Sequence, residues 1–262
     1  MAWALITGAA KRLGAVTALT FARAGYDVLV HYNHSQDDAE ARVREIVQLG
    51  RKARALPCDL AEPAQIDRLF ETLSREGILP SVLVNSASIF EYDTLDTLSA
   101  ESLQRHYAAN TQAPLLLAQH LAGALAEGEE GCIVNLLDQR LFNLNVDFVS
   151  YTLSKYALLG ATKVMAMALA PRIRVNAIAV GLTLQSGAQS AAAFEAAHRL
   201  TPLGRGTRAQ DVADAVLFLS QNRSVTGTVL TVDAGQSLDA RRRDVMFSYQ
   251  EGARVGDVET HE

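Results

Sequence analysis

The chain is poor in cysteine, tryptophan and proline, with two, one and six among its 262 residues. Cys58 and Cys132 fall in separate apolar runs, which excludes a disulfide framework and points to small buried residues in a reducing compartment. An excess of basic charge is also missing: 24 Lys and Arg stand against 29 Asp and Glu. That balance argues against a nucleic-acid partner or a membrane surface. The longest apolar stretches, 114–126 and 156–170, fall short of the roughly 20 residues a membrane span needs, and Lys163 interrupts the second. The first residues, Met1 to Thr7, lack a basic leader, so a cytoplasmic protein is expected. Neither an internal repeat nor a Pro/Gly/Ser linker divides the chain. His31-x-x-His34 has no acid or cysteine pattern around it, so no metal is expected.

What is present is alternation. Short, almost wholly apolar runs begin at Ala4, Val28, Ala53, Val82, Cys132, Val175 and Val229. Helical patterns near 13–25, 36–50, 63–77, 99–127, 149–170 and 209–222 separate them. Runs without polar alternation suit strands covered on both faces, and strand–helix alternation implies right-handed crossovers. The expected fold is therefore α/β, a doubly wound seven-stranded parallel sheet with helices on both faces. One domain over residues 1–240 is followed by a polar tail, 241–262, that opens with Arg241-Arg-Arg243. The tail reads as disordered or as an arm on another subunit. Residues 182–208, rich in Ala, Ser, Gln and Gly, follow the sixth strand and read as a substrate lid.

Two motifs carry chemistry. Thr7-Gly-Ala-Ala-Lys-Arg-Leu-Gly14 follows the first strand and opens the first helix. There Gly8 and Gly14 permit a tight turn, and the backbone N–H groups through Lys11, Arg12 and Leu13 reach a phosphate. The second strand ends in Val30-His-Tyr-Asn-His-Ser35, without the acid that binds a ribose 2′-hydroxyl. Lys11, Arg12, His34 and Ser35 suit a 2′-phosphate instead, which indicates NADPH. The second motif is Tyr151-Thr-Leu-Ser-Lys155. It puts a phenol and an ammonium one helical turn apart. Of the seven tyrosines, Tyr151 is the one with Lys at +4. A lysine charge there is expected to bring the phenol down from about 10 towards a catalytic range.

With these pieces in place, residues 1 to about 240 resemble the short-chain dehydrogenase/reductase family, with its Rossmann-like fold. The resemblance rests on Thr7–Gly14, Asp59, Asn85-Ser-Ala87, Asn110, Tyr151 with Lys155, and Thr201-Pro-Leu-Gly-Arg205. It implies that Asp59, with Leu60 beside it, contacts adenine. Asn85, Ser86 and Ala87 would line that pocket, and Asn110 would bend its helix and hold a proton-relay water. Lys155 and Tyr151 would contact the nicotinamide ribose, Gly181 and Thr183 would sit beside the nicotinamide, and the chain would form a homotetramer.

One departure is informative: the position of the family's usual serine is Asp138. A carboxylate accepts hydrogen bonds and cannot donate one to a carbonyl. It suits a substrate with N–H donors, and the change resembles the family's pteridine reductases. In that comparison Ser88 and Phe90 take substrate-contacting positions, Phe90 by stacking on a pterin. The resemblance thus implies an NADPH-dependent reductase of a dihydropteridine, dihydromonapterin or dihydrofolate, with Asp138, Tyr151, Lys155 and Asn110 catalytic. The alternative is a carbonyl or 3-oxoacyl reductase with the same cofactor.

Overall fold

A computed structural model describes residues 2–185, 190–239 and 241–247. Seven strands form: β1 (Trp3–Ile6), β2 (Asp27–Tyr32), β3 (Ala53–Pro57), β4 (Pro80–Asn85), β5 (Gly131–Asp138), β6 (Ile173–Val180) and β7 (Val229–Val232). The helices are α1 (Arg12–Arg23), α2 (Gln36–Gln48), α3 (Pro63–Arg75), α4 (Ala100–Tyr107), α5 (Ala113–Ala124), α6 (Val149–Ala168), α7 (Ala191–Arg199) and α8 (Ala209–Gln221). All strands are parallel, in the order β3-β2-β1-β4-β5-β6-β7. The chain winds outward from β1 in one direction, then returns to place β4 on its other side. The expected doubly wound sheet is the observed one.

Alternation along the strands builds two cores. Leu5, Leu29, Leu83, Ile133 and Val175 stand in register across five strands and face α3, α5 and α6. Their neighbours Ile6, Val30, Val84 and Val134 form the matching row on the opposite face, under α1, α2 and α8. In the central strands both faces are covered, so these runs are apolar at most positions.

Three segments add to the sequence reading. The helix read over 99–127 is interrupted by a wide turn at Ala108–Gln112 that holds Asn110, the residue expected to bend it. The segment read as a lid contains α7, an Ala-rich helix capped by Ser190, whose hydroxyl accepts from Ala193 N. Residues 186–189 of that segment lie outside the described residues. The first residues past 240 turn back onto their own chain, where Val245 is buried.

The turn after β1 is held from three sides. Thr7 Oγ1 accepts from Ser86 N and Ala87 N, both at 2.9 Å, tying the end of β1 to the end of β4. His31 Nδ1 accepts from Gly8 N at 3.0 Å, which leaves the proton on Nε2 to donate to Cys58 O at 2.9 Å. Burial lowers His31 to about 4 and keeps it neutral for this role. Gly8 takes a left-handed backbone, φ 64°, and a Cβ on Gly14 would lie 2.3 Å from Gly8 O. No side chain can fit between them. Gly14→Ala should therefore destabilise the protein by about 1–3 kcal/mol, the usual cost of overpacking. Urea unfolding measures this, and an unchanged midpoint with retained NADPH binding would refute the tight approach.

Candidate active site

Parallel strands bring residues far apart in sequence to one edge of the sheet. Asp138 ends β5, Asn85 ends β4, and Tyr151 and Lys155 sit in the first two turns of α6. Tyr151 Oη donates to Asp138 Oδ2 at 2.9 Å, and Asp138 Oδ1 accepts from Arg140 N at 2.9 Å. Lys155 Nζ donates to Leu136 O at 2.8 Å. All three side chains line a cleft that encloses about 1000 Å³ of empty space including its mouth.

The electrostatics reverse one expectation. Burial, reinforced by the Asp138 carboxylate, pushes the Tyr151 phenol well above its ordinary value. Burial lowers Lys155 to about 8, with Asp138 opposing the shift. Lys155 therefore does not bring the phenol down in this state. The nearest strong influence on Tyr151 is an anion that takes its hydrogen bond, and the phenol is held protonated. At neutral pH Tyr151 therefore carries its proton.

The start of α6 is fixed by side chains the sequence did not single out. Asp93, 4% exposed, accepts from Ser150 N at 3.1 Å and from the hydroxyls of Ser150 and Ser102. These hydrogen bonds outweigh burial and draw its carboxyl below the usual range. Phe148, just before α6, takes a left-handed backbone with φ 57°. A non-glycine residue in that region persists only where its surroundings hold it. Asn110 is fully buried, and its side chain hydrogen-bonds to the loop after β4 and to Ser154 rather than to Tyr151 or Lys155. Its Oδ1 accepts from Ile89 N (2.8 Å) and Ser88 Oγ (3.0 Å), and its Nδ2 donates to Ser154 Oγ and Ile89 O, both at 3.0 Å. It thereby joins the loop after β4 to α6.

That loop carries the candidate substrate residues. Ser88 and Phe90 line the cleft. Phe90 stacks on Phe148 with ring centroids 4.2 Å apart and meets Tyr151 edge-on at 4.7 Å. It is 37% exposed, so part of the ring remains open to the cleft.

Arg12, Leu13, Ser86, Gly181 and Thr183 also line the cleft. Gly8, Lys11, Gly14, His34, Ser35, Asp59, Leu60, Asn85 and Ala87 are not on its wall. They sit at or just beyond the ends of β1 to β4 and continue the same edge. Here the backbone fits a dinucleotide. No side chain caps α1 and its first turn holds no acid, which leaves its N–H groups for a phosphate. The space between Gly8 and Gly14 is too tight for any side chain, and Asn85 Oδ1 is buried without a hydrogen-bond partner. Lys11 forms an exposed ion pair with Asp38 at 2.8 Å. Such a pair contributes about 0–1 kcal/mol and yields readily to a stronger anion.

The sequence reading missed Arg140 and Asp244. Arg140 is 2% exposed, forms an ion pair with Asp244, and holds its guanidinium 4.9 Å from the Phe148 ring centroid. Both residues line the cleft, as do Val245 and Met246. The available signal was an arginine two places after Asp138 and a mixed-charge tail. Neither indicates that the two meet.

Residues 8–237 match the family described as enoyl-(acyl carrier protein) reductase. The FolM alternative dihydrofolate reductase 1 of Brucella canis, solved with NADP, is 38% identical with a TM-score of 0.87, over 92% of this chain and 95% of that one. Its Brucella suis counterpart, also with NADP, is 37% identical with a TM-score of 0.84, over 91% and 96%. A 3-oxoacyl-[acyl-carrier-protein] reductase of Synechocystis is 30% identical over 88% of this chain and 95% of its own length. With the Tyr151–Lys155 pair on α6, the Gly8–Gly14 turn after β1 and a matching fold, the chain belongs to the short-chain dehydrogenase/reductase family of oxidoreductases.

Proposed function

We propose that this NADP-dependent oxidoreductase reduces a dihydropteridine-type substrate, of the dihydropterin or dihydrofolate class. The observation that carries the reading is the Asp138 carboxylate in the cleft, hydrogen-bonded to Tyr151 Oη at 2.9 Å. The likeness to the two Brucella dihydrofolate reductases supports it.

When bound, the reduced nicotinamide supplies hydride, and the proton comes from the chain. Tyr151 Oη carries that proton, kept on the phenol by burial and by Asp138. Asp138 accepts N–H bonds from the amino-substituted edge of the substrate, which orients the reacting bond against Tyr151. Phe90 offers an aromatic surface beside it, and Ser88, fixed by Asn110, a hydroxyl. Lys155, charged below about pH 8, holds ribose hydroxyls. Gly8, Lys11, Arg12, Leu13, Gly14, His34 and Ser35 hold the phosphates, with Asp59, Leu60, Asn85, Ser86 and Ala87 around the adenine, and Gly181 and Thr183 beside the nicotinamide.

The same reading includes a cytoplasmic homotetramer. The exposed Tyr107, Leu153, Val164 and Met167, on α4 and α6, support the assembly. Two buried, unpaired cysteines support a reducing compartment, and no described helix is long and apolar enough to cross a membrane.

An NADPH-oxidation assay with dihydrofolate, a dihydropterin and a 3-oxoacyl thioester tests the proposal. Turnover of the thioester alone would favour the carbonyl-reductase alternative. Tyr151→Phe should lower kcat by about 10²–10⁴ while NADPH affinity stays nearly constant, since it removes the proton donor and little else. Substantial residual turnover would assign the proton to another group.

The pH dependence follows from Lys155. Its proton is lost as pH rises through about 8, whereas Tyr151 stays protonated well beyond, so kcat/KM should decline above pH 8. A profile flat to pH 10 would show that Lys155 is not the titrating group.

Asp138→Asn leaves a substrate N–H facing an amide, which costs about 1.5–3 kcal/mol. Pterin kcat/KM should fall at least tenfold, and Asp138→Ser should shift relative activity towards ketones. Equal pterin activity in both variants would remove Asp138 from substrate recognition.

A further inference from the structure

We propose that residues 243–247 form a substrate-side wall of the active site, fastened to the catalytic loop by two ion pairs, and that Val245 and Met246 on this wall determine which substrates fit. The segment lies outside the region matched by the family, yet Asp244, Val245 and Met246 line the same cleft as Asp138, Tyr151 and Lys155.

The fastening combines a buried ion pair, Arg140–Asp244, with a second in which a buried Asp147 meets a half-exposed Arg243. Arg140, whose backbone N–H holds Asp138, directs one Nη to Asp244 and the other to Asp147 O at 2.9 Å and Asn145 Oδ1 at 3.2 Å. The Asp147 side chain is fully buried and accepts from Asp244 N at 2.7 Å and Arg243 Nε at 2.9 Å. Asp244 Oδ1 accepts from Met246 N at 2.9 Å, closing a turn that presents Val245 and Met246 to the cleft. Phe247 packs its ring 5.2 Å from Tyr92 and 6.2 Å from Phe148. One arginine thus reads the position of Asp138 through its backbone and the position of the wall through its side chain.

The charges are also sorted. Asp147 and Asp244 each take a guanidinium, whereas Asp138 takes its hydrogen bonds from neutral donors, Tyr151 Oη and Arg140 N. Removing one partner of a buried pair strands the other charge, so the wall is held as a unit. Of the three wall residues that line the cleft, Val245 and Met246 are apolar. Methionine, with its flexible chain, shapes itself to what it contacts.

The test uses the full chain with Asp244→Asn and Met246→Ala. In Asp244→Asn, trypsin should cut at Arg241–Arg243 at least tenfold faster than in wild type. An equal rate would overturn the fastening, and this arm needs no substrate, so it stands or falls apart from the pterin reading. KM is then measured for dihydrofolate and for an acetoacetyl thioester, whichever wild type reduces. It should rise at least tenfold in Asp244→Asn and at least threefold in Met246→Ala, with most of the change in KM rather than kcat. NADPH affinity, read by its fluorescence, should remain within twofold. An unchanged KM, or a loss of NADPH affinity equal to the rise in KM, would overturn the wall as a specificity element.

Discussion

All seven strands run parallel, so every strand delivers its C-terminal end to one edge of the sheet. This constraint decides where chemistry can occur. The row Leu5–Leu29–Leu83–Ile133–Val175 fixes the register on one face, and Ile6–Val30–Val84–Val134 fixes it on the other. A one-residue slip would exchange the two rows and misplace every strand end. With register fixed, Gly8, Asn85, Asp138 and Gly181 reach a common edge. Between β1 and β4 the winding reverses direction and opens the crevice where such folds bind ligands.

The chemistry at that edge depends on a contrast made by burial. Tyr151 and Lys155 are one helical turn apart and both are dry, yet burial moves them in opposite senses, the phenol up and the ammonium down. Both shifts disfavour the charged form. Asp138 completes the arrangement, further favouring the protonated phenol and partly restoring the lysine charge. A serine at that position would supply a hydroxyl and no field. A carboxylate there changes the hydrogen bonds available in the cleft and shifts the proton affinity of both neighbours at once.

Much of this was legible in the sequence, for a physical reason in each case. The seven strands stood out because two-sided burial makes each run apolar, as in Val28-Leu-Val30. Gly8 and Gly14 were legible because only glycine tolerates the turn and the 2.3 Å approach. The bend at Ala108–Gln112 followed from the resemblance at Asn110, whereas periodicity shows no break there. The helix α7 was not legible, because its alanines lie in a small-residue segment that reads equally as a loop. The direction of the Tyr151 shift depends on burial and on Asp138, both of which are tertiary. Helical spacing revealed the lysine and nothing of the anion that outweighs it.

Arg140 and Asp244 are the furthest case, a buried pair 104 residues apart. Each charge alone is unremarkable in sequence, because an arginine after a strand and an acid in a polar tail are ordinarily solvated. Their pairing settles what Arg140 does at the cleft. Three acids, Asp138, Asp147 and Asp244, converge on this corner with two guanidiniums. If Asp244 were absent, Arg140 would be a buried cation short of its carboxylate partner. With Asp244 in place the guanidinium is satisfied by the returning segment, and Asp138 takes its hydrogen bonds from Tyr151 Oη and the Arg140 backbone. One arginine on the cleft wall thus holds the returning segment with its side chain and the Asp138 carboxylate with its backbone.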